Sequence, residues 1–69
     1  MDDKHLLDRD TYHVFTNGWD DYFYNYKEAN KAFKVMAKEY GCARMYLKRK
    51  GTDEDCDGDC IRSEGAFPS

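Results

Sequence analysis

The stretch NYKEANKAFKVMAKEYG, residues 25–41, decides the fold. Ala29, Ala32, Phe33, Met36, Ala37 and Tyr40 recur at i, i+3, i+4, i+7, i+8 and i+11, one stripe of a helix with about 3.6 residues per turn. That stripe is the expected buried face. Asn25 followed by Glu28 has the spacing of a capping box, in which side chains satisfy backbone N–H groups of the first turn. Gly41 supplies the left-handed residue on which helices commonly end. The opposite side carries Lys27, Lys31, Lys34 and Lys38, a basic stripe of the kind an ordinary surface helix also shows.

Upstream, TYHVFT (residues 11–16) is rich in β-branched and aromatic residues and is followed by Asn17-Gly18, the pair suited to a type I′ hairpin turn. WDDYFYN (residues 19–25) then returns toward the helix. A two-residue loop sets Thr16 opposite Trp19 and Tyr12 opposite Phe23. A loop running through Asp21 instead puts Tyr22 and Tyr24 on the face of Val14 and Tyr12, and the sequence leaves both registers open. Downstream, ARMYLKRK (residues 43–50) alternates, with Ala43, Met45 and Leu47 on one face and Arg44, Tyr46 and Lys48 on the other. A turn-rich acidic segment, residues 51–59, precedes CIRSEGAF, a candidate last strand. Residues 1–9 lack a sustained period and read as loose or briefly helical, with Leu6 and Leu7 available to cover an edge of the core. The expectation is one small α+β domain over residues 1–69, with its core in 10–69: β-β-α-β with a fourth strand, the helix packed on a small, mostly antiparallel sheet.

At 69 residues the chain is near the size where a single core gives about 3–5 kcal/mol of net stability. A homodimer contact or a bound partner would add to that. Six tyrosines among eleven aromatics keep it in the folded class despite a mean hydropathy of −1.01. No apolar run approaches the roughly 20 residues of a membrane span, and MDDKHLLDRD lacks a signal segment, so the expected location is the cytoplasm, with no membrane partner. The net charge of −3 divides into blocks of −4 (residues 1–24), +6 (25–50) and −5 (51–69), which neutralise one another in the fold or form separate patches.

Three groupings have chemical potential. DEDCDGDCIRSE, residues 53–64, fits the calcium-loop pattern D-x-D-x-D-G-x5-E: Asp53, Asp55, Asp57 and Glu64 as ligands, with Asp59 lending a carbonyl. In those twelve residues it resembles EF-hand proteins, although a strand precedes it and no exiting helix follows. An acidic turn around Asp57-Gly58 is the simpler reading. Cys42, Cys56 and Cys60 with His5 or His13 contain the donor types of a zinc site. Their odd number and loose spacing favour reduced thiols without metal. The lysine stripe with Arg44, Lys48, Arg49 and Lys50 is a candidate phosphate surface, and Tyr46 or the tyrosines of YFYNY are candidates for stacking on bases, yet no RNA- or DNA-binding motif is present. No catalytic grouping stands out, so the expectation is a non-enzymatic protein with no cofactor.

A tiny, charged, tyrosine-rich chain of this layout resembles the small early proteins that bacteriophages encode to bind and disable host machinery or defences. The resemblance implies a protein-binding inhibitor or modulator whose partner is a host protein in the host cytoplasm. Interface energy concentrates in Trp, Tyr and Arg, while rim charges tune association. Trp19 is therefore the first candidate anchor, followed by Tyr22, Tyr24 and Tyr46, with Lys27, Lys31, Lys34 and Lys38 as rim charges. Nucleic acid is the alternative partner and calcium regulation the alternative role.

Overall fold

A computed structural model describes residues 6–53 and 58–67. The elements are β1 (Thr11–Thr16), β2 (Trp19–Phe23), α1 (Tyr26–Tyr40), β3 (Ala43–Lys48) and β4 (Asp59–Glu64). They form the expected α+β arrangement, a four-stranded sheet in the order β2-β1-β3-β4 with every neighbouring pair antiparallel. Because β2 and β3 both run against β1, α1 is the crossover that carries the chain from one side of β1 to the other.

The helix forms where the apolar spacing puts it. The Asn25 side chain accepts from the Glu28 N–H at 2.8 Å, and the Gly41 N–H donates to the Ala37 carbonyl at 2.9 Å. Ala29, Phe33 and Met36 are fully buried against Val14, Ala43 and Met45, with Tyr12, Phe23 and Ala37 at the margin. Removing a side chain the size of Phe33 from water contributes about 1.5–3 kcal/mol. The helix rests mainly on β1 and β3 and more lightly on β2. On the β4 side, Arg62 closes the core instead: its guanidinium lies 4.5 Å from the Phe33 ring centroid, and Nη1 donates to Asn30 Oδ1.

Tyr40 departs from the expected stripe, remaining 51% exposed. Fifteen helical residues span about 22 Å, whereas strands of five or six residues span roughly 16–20 Å. The last turn therefore overhangs the sheet.

The hairpin takes the two-residue register, Thr16 opposite Trp19 and Tyr12 opposite Phe23. Its turn is not type I′, however, because Asn17 does not have a positive φ and only Gly18 does, at 91°. Positive φ at the second central residue alone is the pattern of a type II turn. Beside the turn, the buried Thr16 hydroxyl donates to the Cys42 carbonyl at 2.5 Å. A bulge between Met45 and Tyr46 shifts the β3–β4 register, so that Met45 faces Arg62 and Tyr46 faces Cys60.

Two further expectations are corrected. Lys48, placed by alternation on the solvent side, is only 8% exposed, and its ammonium lies 5.6 Å from the Tyr22 ring centroid. Its long methylene stem lets it be covered while the charge still finds favourable partners. Residues 6 and 7, expected to be loose or briefly helical, are instead extended and paired with the turn after β3. Leu6 bridges to Asp53, and Leu7 exchanges backbone hydrogen bonds with Thr52 (3.0 Å) and Gly51 (2.9 Å). Of the two leucines expected to cover an edge of the core, Leu6 remains 59% exposed whereas Leu7 is partly buried.

Candidate functional site

Strand alternation sends His13 and Phe15 of β1, Asp20 and Tyr22 of β2, and Arg44, Tyr46 and Lys48 of β3 to the sheet face opposite α1. Cross-strand neighbours there stack. His13 and Tyr22 lie 4.4 Å apart with planes 4° from parallel, and Phe15 and Tyr46 lie 5.6 Å apart at 16°. Phe15 also meets Phe67 at 5.7 Å, and Phe67 in turn lies 4.7 Å from the Arg44 guanidinium. His13 Nε2 is 2.8 Å from Asp20 Oδ2, an exposed pairing of small energetic weight.

The direction of this stacking matters. Parallel rings on adjacent strands, whose backbones are about 4.8 Å apart, stand side by side and turn their faces to one another. Base stacking requires free ring faces, and each tyrosine considered for that role already has a ring or guanidinium neighbour, Tyr22 and Tyr46 through the stacks just described. Tyr26 packs edge-on to Tyr12 (5.9 Å), and Tyr24 lies beneath the Arg9 guanidinium (4.8 Å). Tyr22 and Tyr46 thus share the open face, while Tyr24 sits apart from them.

Trp19 lies on the helix side of β2 at the sheet edge, 44% exposed, with Tyr40 at 6.2 Å. It borders an open groove of about 340 Å³ between β2 and α1, together with Phe23, Glu28, Lys31, Ala32 and Val35. It also borders a depression of about 320 Å³ lined by His13, Phe15, Thr16 and Asp20. Trp19 therefore stands where the two sides of the hairpin meet. Val35, half exposed, continues the apolar surface along the helix.

Of the lysine stripe, only Lys31 lines the groove. At 100° per residue, Lys27, Lys34 and Lys38 fall on the other shoulder of α1, the side of Asn30 and Arg62. The free edge of β2 is also restrained, because the outward Tyr22 N–H donates to its neighbour's Asp21 Oδ1 at 2.9 Å. Occupying an edge donor in this way discourages another strand from adding there.

The calcium loop does not survive as drawn from the sequence. Asp59 and Glu64 are the two ends of β4, separated by about 16 Å at strand rise, too far apart to hold one cation. Asp53 bridges to Leu6, while Asp55 and Asp57 lie outside the described residues. The zinc set is likewise divided. Cys42 is buried beside Thr16 and Cys60 is exposed on β4, with Tyr46 between Cys60 and His13 in the register. Cys56 and His5 lie outside the described residues. Among the described residues, no group of three or more His, Cys, Asp or Glu side chains is placed to hold a metal.

Sequence reasoning missed Phe15, Phe67 and Val35 as surface features. Phe15 alternates with Val14 and was legible by parity, whereas the seating of Phe67 on Phe15 depends on how the chain leaves β4. Among the described residues, no helix is long and apolar enough to cross a membrane. Comparison with protein-family models, curated proteins and solved structures gives no match.

Proposed function

We propose that this chain is a non-enzymatic protein-binding module whose partner docks on the β1–β2 hairpin edge with Trp19 as the central anchor. The carrying observation is the position of Trp19, half exposed and bordering both the β2–α1 groove and the depression over His13 and Phe15. A large ring with apolar ground on either side is the usual centre of an interface hot spot, where a partner's side chains remove it from water. Both hollows are open along their length, which suits partner side chains better than a fully enclosed small molecule. Lys31 and Glu28 both line the groove and Asp20 lines the depression, so the rim offers a partner charges of both signs. The phage-encoded inhibitors that the chain resembles work by such occupation of a host protein's surface.

The test is capture from a bacterial lysate on immobilised wild-type protein and on Trp19→Ala, with circular dichroism confirming that the variant is folded. A discrete protein retained by the wild type and lost from Trp19→Ala is the expected result. Equal retention by both, or salt-sensitive retention of nucleic acid alone, contradicts the reading.

A further inference from the structure

We infer that the open sheet face holds a second recognition site, for an aromatic side chain flanked by carboxylates on a protein partner, and that Phe67 occupies this site in the isolated chain. The site lies toward β3, beyond the Trp19 edge, and does not depend on that edge being the docking surface. Three observations converge on it.

Phe67 is seated through its ring. It meets Phe15 at 5.7 Å and the Arg44 guanidinium at 4.7 Å, while among the described residues no backbone hydrogen bond ties Ala66 or Phe67 to the sheet. The segment leaves β4 through Gly65, which packs against the Gly41–Cys42 backbone, so the last fixed backbone contact lies two residues before the ring. A half-buried cation–π contact of about 1 kcal/mol can be exchanged for an equivalent one.

The chemistry of the seat is also specific. Arg44 presents a planar guanidinium to an aromatic face and, among the described residues, has no carboxylate within ion-pair distance. Its remaining donors suit an acid adjacent to the incoming ring, since a guanidinium can stack and bind a carboxylate at once. Charge on the face agrees. Arg44 is cationic, and the facing acid of β2, Asp20, lies against His13. The remaining contact of the seat is Phe15, already stacked on Tyr46, which offers an edge to a ring rather than a platform to a nucleobase.

In the bound state a partner's Phe or Tyr replaces Phe67 between Phe15 and Arg44, with a neighbouring Asp or Glu on the guanidinium. The C-terminal segment is then an internal competitor, and apparent affinity scales with the fraction of molecules in which the seat is empty.

The test titrates the peptide acetyl-Asp-Phe-Asp-amide into the full chain and into Phe67→Ala, followed by amide and arginine Nε chemical shifts. Shifts centred on Phe15, Arg44 and Tyr46 are expected. With the seat filled in about nine molecules of ten, Phe67→Ala should bind about tenfold more tightly. Acetyl-Asp-Ala-Asp-amide and the Arg44→Lys variant should show little binding. Phe67→Leu, which keeps apolar bulk without the ring, should fall between wild type and Phe67→Ala. Equal affinity with and without Phe67, shifts centred elsewhere, or preferential binding of a short oligothymidylate to this face would overturn the inference.

Discussion

Phe33 has the core on one side, formed with Val14, Met36 and Met45, and the Arg62 guanidinium against its ring. Truncation to Ala removes that packing and leaves a cavity, which costs about 3–5 kcal/mol for Phe. That is comparable to the net stability expected of a domain this small, so Phe33→Ala should be largely unfolded in a urea titration where the wild type shows a cooperative transition. An unchanged midpoint would mean that the ring is not in the core. Gly65 is the other sensitive position. A Cβ there would meet the Gly41 carbonyl oxygen and the Cys42 Cα, and the residue has φ of 72°, where side chains are disfavoured. Gly65→Ala should cost more than the roughly 1 kcal/mol of an ordinary left-handed glycine substitution, because backbone atoms must also move. A thermal melt matching wild type would contradict the close approach.

At the scale of elements, α1 shows what a sequence can reveal. Its periodicity, the Asn25 cap and the Gly41 stop are local properties, and each reappears in the fold. Asn25→Ala removes the acceptor for the Glu28 N–H and should lower stability by about 1 kcal/mol. Asn25→Asp should restore most of it, and equal stability of all three proteins would show the cap to be idle. The strands were legible from alternation and the hairpin length from Asn17-Gly18. The turn type was not, since Asn17 tolerates either sign of φ. Nor were the bulge at Met45/Tyr46 and the pairing of residues 6–7 with residues 51–53, which arise from contacts distant in sequence. Alternation placed Lys48 correctly on the sheet face opposite the helix, but it could not show that the lysine would be covered there. The same limit applied to the candidate site. Trp19, Tyr22 and Tyr46 were legible as aromatics of a small sheet, but their division between an edge and an open face follows from the helix covering only one side.

Across the whole molecule, the extended β4 predicts indifference to calcium. A competent site at one hundred times its dissociation constant would add about 2.7 kcal/mol. At about 4–8 °C per kcal/mol in a domain this size, that is a rise of more than ten degrees. Millimolar calcium should leave the melting temperature within about a degree, and a large rise abolished by Glu64→Gln would restore the metal reading. The charge blocks give a second global expectation. Lys27, Lys34 and Lys38 lie on the shoulder of α1 away from the groove, so reversing two of them should mainly change the salt dependence of association. Whether Trp19 anchors a protein partner at the hairpin edge is decided by titrating the captured partner with wild type and Trp19→Ala. Loss of a hot-spot side chain costs about 2 kcal/mol or more, a weakening of roughly thirtyfold. At least that loss is expected, with the variant's fold retained; an unchanged dissociation constant would rule Trp19 out as the anchor.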